Sequence, residues 1–256
     1  MQFSHYINTL KQLAYRSAKV DTIYEKQLSI DNETKHNCAT DQNIILIGGP
    51  GSGKGTQAKQ LAFNLEIPHI ATGDLFRHHL KRNTKLGQLA QKYMSEGALV
   101  PDHITVAMLE KRLEKKDAFS GFILDGFPRT LSQAKSLTSL LESTSRSLST
   151  AIYLYVSDTE IVNRLSGRLI CSNCQTPFHI TFHPPKKLNI CDRCGASLYQ
   201  RKDDNPEVIH ARLETFHKIT EPIVQYYLEL GLLVKIDGSG PVSTVTSRVL
   251  NSLTNI

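Results

Sequence analysis

The chain has 256 residues, room for one large α/β domain with inserted lobes or for two small domains. Its 40% apolar and 21% charged residues are ordinary for a soluble globular protein; no stretch approaches the roughly 18 apolar residues that cross a membrane, and no signal-peptide core is visible. With 30 Lys and Arg against 24 acids, the net charge of +6 suits anionic small molecules and nucleic acid equally, so it chooses neither.

Residues 1–42 differ from the rest, holding no motif and ending in the polar stretch 31–37. The first twenty contain no acid but include Lys11, Arg16 and Lys19, and Phe3, Ile7, Leu10 and Ala14 fall on one helical face. Such a segment is a transit peptide, a helix docked on the domain or a disordered tail, and the sequence leaves all three open. The odd cysteine, Cys38, lies in this extension.

From Asn43 onward strand and helix patterns alternate, which predicts a parallel sheet covered on both faces, with ligands at the carboxyl ends of its strands. The first strand, 44–47, is an apolar run, and Gly48-Gly49-Pro50-Gly51-Ser52-Gly53-Lys54-Gly55-Thr56 follows it directly. The glycines let the backbone wrap with its N–H groups inward. The helix predicted over 54–65 aims its positive end at the same concavity, so the segment is a phosphate cradle. Lys54 adds charge for the outer phosphates and Thr56 a hydroxyl for phosphate or Mg²⁺. The pattern G-x-x-x-x-G-K-[ST] fails at one position, because Gly55 stands where Ser or Thr is expected.

A second strand, 69–71, leads into Thr72-Gly73-Asp74-Leu75-Phe76-Arg77. Thr72 is placed to cap the helix 73–81, and Arg77 to clamp a phosphate; a capped helix with a solvated arginine is the plain alternative. Helices are predicted over 85–95 and 102–115. The third strand, 121–124, runs into Asp125-Gly126-Phe127-Pro128-Arg129-Thr130. A carboxylate there, beside the cradle, is where a Mg²⁺-bound water is held. Arg129 can reach a phosphoryl group, and Gln133, on the helix 130–143, presents an amide able to read a base edge. Taken alone, this segment is also an ordinary strand-to-helix turn.

A strand at 151–156 and a helix at 158–166 come next, with Arg164 and Arg168 four apart on one helical face. The segment 168–204 then breaks the alternation. It holds Cys171, Cys174, Cys191, Cys194, Pro184-Pro185 and short β-type runs, and so is an inserted lobe. Two C-x-x-C pairs sixteen residues apart read as zinc more readily than as disulfides, and with the cradle upstream they suit a reducing compartment; a metal-free cluster and redox cysteines are the alternatives. Arg201 with Lys202-Asp203-Asp204 closes the lobe, Arg212 follows on a helix 206–230, and a strand 232–236 and a helix 242–253 complete the pattern. Each arginine alone is a surface charge. Together with Lys54, Arg77 and Arg129 they are what phosphoryl transfer asks for, donors converging on developing equatorial charge.

These motifs, with Gly97-Ala98-Leu99-Val100-Pro101-Asp102 among them, occur in an order over roughly 43–254 that resembles adenylate kinases, whose cradle normally ends as Gly55-Thr56 does. The resemblance implies a P-loop three-layer α/β fold around a central parallel five-stranded sheet. Its core would be 43–70, 101–166 and 205–256, its helical lobe for the nucleoside monophosphate 71–100, and its small zinc-bearing β lid 167–204. Lys54 and the backbone of Gly51, Ser52, Gly53, Gly55 and Thr56 would hold the ATP phosphates. Arg164 would stack on the ATP base, with Pro177 and Phe178 closing over it and the backbone near Gly240 meeting it. AMP would fall to Thr72, Arg77, Val100, Gly126, Arg129 and Gln133, helped by Arg201 and Arg212. Arg168, Arg201 and Arg212 would neutralise the transferring group, Asp125 would order water around Mg²⁺, and Asp203 and Asp204 would position the lobe arginines. Cys171, Cys174, Cys191 and Cys194 would hold one structural Zn²⁺, leaving His179 and His183 to packing or hydrogen bonding.

The implied activity is reversible phosphoryl transfer from Mg·ATP to AMP by a monomer with no nucleic-acid or membrane partner. Its compartment would be the cytoplasm, or the mitochondrial matrix or another organelle if 1–42 is a transit segment. Three alternatives stand beside it: GTP as donor, UMP or CMP as acceptor, and a zinc-ribbon nucleic-acid-binding protein with a nucleotide switch. Thr72 speaks against the pyrimidines, since the resembling pyrimidine enzymes tend to carry a small residue there.

Overall fold

The computed structural model describes residues 42–96 and 98–254; the reading of 1–41, with Cys38, and Gly97 lie outside them. Five strands form one parallel sheet: β1 (Gln42–Ile47), β2 (His69–Ala71), β3 (Gly121–Asp125), β4 (Thr150–Tyr155) and β8 (Leu233–Asp237), in the order β2-β3-β1-β4-β8. Burial on both faces explains why β1 reads as an unbroken apolar run: Asn43 to Ile47 are all buried. Parallel registers such as Leu46↔Asp125, Ala71↔Asp125 and Tyr155↔Asp237 bring the carboxyl ends to one edge of the sheet. That edge is where a doubly wound sheet binds ligands.

Helix α1 (Lys54–Leu65) packs through Ala58 and Leu61 on Ile44, Leu46 and Ile123, and Val245 and Val249 of α9 (Val242–Leu253) close the same core. Helices α2 (Thr72–Lys81) and α3 (Lys85–Ser95) form a separate lobe around Phe76, Ala90 and Val100. Helix α4 (Asp102–Leu113) and α5 (Leu131–Ser143) lie on either side of β3 in sequence, and the Thr130 hydroxyl caps α5 by accepting from the Gln133 backbone N–H at 3.1 Å. Beyond α6 (Asp158–Ser166), strands β5 (Arg168–Cys171), β6 (Pro177–His179) and β7 (Leu198–Tyr199) make a small antiparallel sheet with its own buried cluster of Cys171, Phe178, Cys191 and Leu198.

Two expectations change here. Arg168 is not on the face of α6 with Arg164, because the helix stops at Gly167 and Arg168 begins β5. The helix expected over 206–230 is three pieces: α7 (Pro206–Thr215), a π-helical turn (Phe216–Thr220) and α8 (Pro222–Glu229). Pro222 has no N–H to return to the chain four residues earlier, and the turn widens so that the Glu221 N–H reaches the Phe216 carbonyl at 2.8 Å.

Candidate active site

The loop after β1 closes on itself. Lys54 Nζ donates to the Gly48 and Gly49 carbonyls, both at 2.7 Å, and its pKa is pushed down to about 8. Burial is the main cause, with the nearby charges of Arg129, Arg212 and Arg168 adding to it and the Asp125 carboxylate opposing it. Gly55 breaks the generic cradle pattern for a steric reason: a Cβ there would stand 3.1 Å from Asp125 Oδ2. A side chain at that position would crowd the acid that ends β3.

Burial pushes the Asp125 carboxyl up, but His69, Lys54 and Arg129 outweigh it and hold its pKa below the ordinary value. His69 Nε2 lies 3.4 Å from Asp125 Oδ2. Nothing in the sequence marks His69; only the pairing of β2 with β3 puts it there.

Thr72 does not cap α2. It is the first helical residue, Ala71 precedes it as cap, and its hydroxyl donates instead to the Gly126 carbonyl at 2.9 Å. Arg129 Nε donates to that same carbonyl at 2.8 Å, and Arg77 is paired with Asp74 at 2.5 Å. The Gln133 amide, expected to face a base, is already engaged at both ends: its oxygen accepts from the Arg129 backbone N–H at 2.8 Å and its nitrogen donates to Asp102 Oδ1 at 2.7 Å. Thr72, Arg77, Val100, Gly126, Arg129, Gln133, Asp203 and Arg212 nevertheless line one open cleft.

Of the arginines at the two ends of the lobe, Arg168 and Arg212 are held by acids. Arg168 makes a two-pronged pair with fully buried Asp204, at 2.8 and 2.5 Å, and Arg212 donates to Asp203 Oδ2 at 3.0 Å and to the Asp203 carbonyl at 2.9 Å. Arg201 has a pKa lowered to about 10 by burial and by the charges of Arg77 and Arg168. Among the described residues its Nε is buried without a partner. Arg164 pairs with Glu160 and donates to the Gly238 carbonyl at 3.1 Å, and a Cβ on Gly238 would stand 3.4 Å from the Ser52 carbonyl. The turn leading to exposed Gly240 therefore passes beside the cradle. Phe178 is placed otherwise than expected: its ring is buried in the lobe core and stacks on His183 at 5.5 Å, while Pro177 begins β6 opposite Ile170.

The sulfurs of Cys171, Cys174, Cys191 and Cys194 lie within 4.8 Å of one another, with Cys171–Cys194 at 3.4 Å and Cys174–Cys191 at 3.6 Å. Four sulfurs at about 2.3 Å from a tetrahedral zinc stand about 3.8 Å apart, so the group fits that ion. His179 keeps away from it: Nε2 meets the Asn163 carbonyl at 3.1 Å, and Nδ1 accepts from the Thr181 and Phe182 backbone N–H groups at 3.0 Å. Among the described residues no helix is long and apolar enough to cross a membrane.

Comparison with known proteins agrees with this geometry. The family model described as "Adenylate kinase" matches residues 46–232. A Streptomyces avermitilis protein titled adenylate kinase is 50% identical over 211 residues, 82% of this chain and 96% of that one. Proteins of the same title from Caldicellulosiruptor bescii and Staphylococcus aureus are 45% and 46% identical, covering 82% and 84% of this chain and 98% and 100% of theirs. A match over most of the chain, on a five-stranded parallel sheet whose first strand runs into the glycine loop closed by Lys54, places the chain in the adenylate kinase family.

Proposed function

We propose that this protein transfers the terminal phosphoryl group of ATP to AMP, reversibly, giving two ADP. The observation that carries this reading is the cleft. Residues from positions 72 to 212 line one wall of it with Arg77, Arg129 and Arg212, and Asp125 joins that wall to the Lys54 cradle. In this reading two phosphate sites lie beside each other.

An oxygen of the AMP phosphate would attack the terminal phosphorus of ATP while the bond to the bridging oxygen breaks and ADP leaves. The acceptor is already an anion, so no side chain need be a nucleophile or base. Orientation alone supplies about 7–11 kcal/mol of such a barrier. In this reading Lys54 and the 51–56 backbone hold the donor phosphates, and Arg164 and the Gly240 turn lie against the donor base. Arg77 and Arg129 hold the acceptor phosphate, and Thr72, Val100, Gly126 and Gln133 surround the acceptor nucleoside. Arg168 and Arg212 would leave their acids, and Arg201 would join them, to meet the charge developing on the transferring group. Asp125, with Thr56, would hold Mg²⁺ through water, and the ion would neutralise charge on the donor phosphates. Zinc on the four thiolates would be structural, since four sulfurs leave no open position. The segments 71–100 and 167–204 would act as the moving lobes that exclude water, the competing acceptor, from a core of 43–70, 101–166 and 205–256. Every group in this scheme comes from one chain, so a monomer suffices.

A steady-state assay pairing ATP or GTP with AMP, CMP, UMP and GMP tests the proposal. Turnover should be fastest with AMP as acceptor and ATP as donor. Absence of phosphotransfer, together with RNA affinity that falls steeply with salt, would replace this reading with a nucleic-acid-binding one.

A further inference from the structure

Asp102 opens α4 immediately after Val100-Pro101, and its two oxygens are divided between two partners. Oδ1 accepts from Gln133 Nε2 at 2.7 Å and Oδ2 accepts from the Thr130 hydroxyl at 2.7 Å. Gln133 Oε1 accepts in turn from the Arg129 backbone N–H at 2.8 Å, and the Gln133 side chain is buried, the residue being 2% exposed. A primary amide has nearly the same shape either way round, so its orientation is decided by what surrounds it. Here both ends are decided. A carboxylate only accepts and a backbone N–H only donates; a flip would set the amide oxygen against Asp102 and the NH₂ against the Arg129 N–H.

We propose that Asp102 is the positioning residue that fixes the Gln133 amide, and that this makes the acceptor site read a 6-amino purine and reject a 6-oxo purine. The inference rests on the cleft being the monophosphate site. One N–H and one oxygen lone pair of the amide remain for a ligand, and Gln133 lines the cleft. Adenine offers them a ring-nitrogen acceptor beside an amino donor. Guanine offers a carbonyl oxygen where adenine has the amino group, so with the amide locked two oxygens would meet. Against a flippable amide the penalty disappears, because the NH₂ can turn to the carbonyl.

Replacing Asp102 by Asn tests this, because Asn presents either a donor or an acceptor and so removes the charged half of the lock, leaving the Gln133 amide held only by the Arg129 backbone N–H. A matched pair of base contacts discriminates by about 1–3 kcal/mol, roughly 5- to 150-fold, so losing one of the two constraints on the amide should lower the AMP-over-GMP ratio of kcat/KM about fivefold or more in Asp102→Asn. The KM for AMP should rise, while kcat at saturating AMP and the KM for ATP stay within about threefold. Asp102→Glu keeps an acceptor-only group and should restore the ratio. Should Asp102→Asn fail to fold, Asp102→Ala decides, since it removes the acceptor that faces Gln133 Nε2 and should relax the ratio in the same direction. Equal loss of AMP and GMP turnover in either variant, with the ratio unchanged, would make Asp102 a merely structural residue and overturn the proposal. Failure of the underlying reading is seen separately, in a wild-type enzyme that phosphorylates no purine monophosphate.

Discussion

Gly126 sits where backbone, acceptor contacts and the putting-together of two strands meet. Its φ of +79° lies in the left-handed region, and a Cβ there would stand 2.9 Å from Arg129 Nη2 and 3.0 Å from Thr72 Oγ1. An L-residue in that conformation costs about 1–2 kcal/mol, and the methyl would also push aside a guanidinium proposed to hold the acceptor phosphate. Gly126→Ala should therefore lower the melting temperature by a few degrees and kcat/KM for AMP by about 10²-fold, the scale of an ångström-sized misplacement, with the KM for ATP nearly unchanged. Calorimetry and steady-state kinetics read the two effects. Lys54 gives a second residue-scale prediction. Its pKa of about 8 belongs to a site without phosphate, and a bound polyphosphate favours the ammonium, so the bound pKa is higher. Between the two values binding takes up a proton, and ATP affinity should weaken as pH rises through about 8. Titration calorimetry at pH 8.5 in buffers of different ionisation enthalpy should show proton uptake that Lys54→Met abolishes; uptake persisting in that variant would assign it to another group.

The elements differ in how they are held, and this sets both what fails first and what the sequence could reveal. The sheet rests on a core of Ile44, Leu46, Ile123, Ile152 and Leu154, whereas the lobe of β5, β6 and β7 has a buried cluster of Cys171, Phe178, Cys191 and Leu198, half of it cysteine. So small a core does not fold without a staple. Chelation, or Cys191→Ser, should release one zinc per chain and raise amide exchange over 168–199 while β1 and β3 stay protected; a metal-free lobe that exchanges slowly would contradict the zinc assignment. The buried strands and several helices were legible because their signals are local: an apolar run at 44–47 and helical patterns over 54–65 and 158–166 that form as expected, whereas the one cap read from sequence, Thr72, lies inside its helix. The cysteine pairs announced themselves through spacing in the same way, whereas the four-residue spacing of Arg164 and Arg168 misled, since Arg168 begins β5. The π-helical turn was not legible in a periodicity that runs on through Pro222, although that proline marks where the helix must widen. Contacts set by register were also hidden. His69 reaches Asp125 only because β2 pairs with β3, and Gln133 finds its partner 31 residues upstream.

At the scale of the whole molecule, the lobe 167–204 leaves the core through α6 and returns through α7, and one side chain ties the two sides together. His217, in the π-helical turn, bonds Glu221 Oε2 through Nδ1 at 2.9 Å and Asp158, at the start of α6, through Nε2 at 2.9 Å. Both ring nitrogens face carboxylates, so the ring is an imidazolium, and the bonds to Asp158 and then Glu221 raise its pKa to about 10 against a small opposing effect of burial. A folded pKa raised above the ordinary 6.5 means that the stabilisation is fully present below about pH 6.5 and is lost as pH climbs through about 10. Two charge-assisted bonds are worth about 1–3 kcal/mol, and solvent reaching half-exposed Asp158 trims this to about 1–2 kcal/mol. His217→Gln keeps shape and one hydrogen bond but not the charge. Its melting temperature should lie several degrees below the wild type at pH 6, and the gap should close by pH 10.5, where both proteins carry a neutral side chain facing two acids. The strap joins the segments on which the lobe is hung, so its loss should also appear as faster exchange at the ends of α6 and α7 than in the sheet. An equal gap at both pH values would mean that His217 contributes packing alone, and that the lobe's base is held by the Val156, Ile161, Leu165, Ile209 and Leu213 cluster without help from charge.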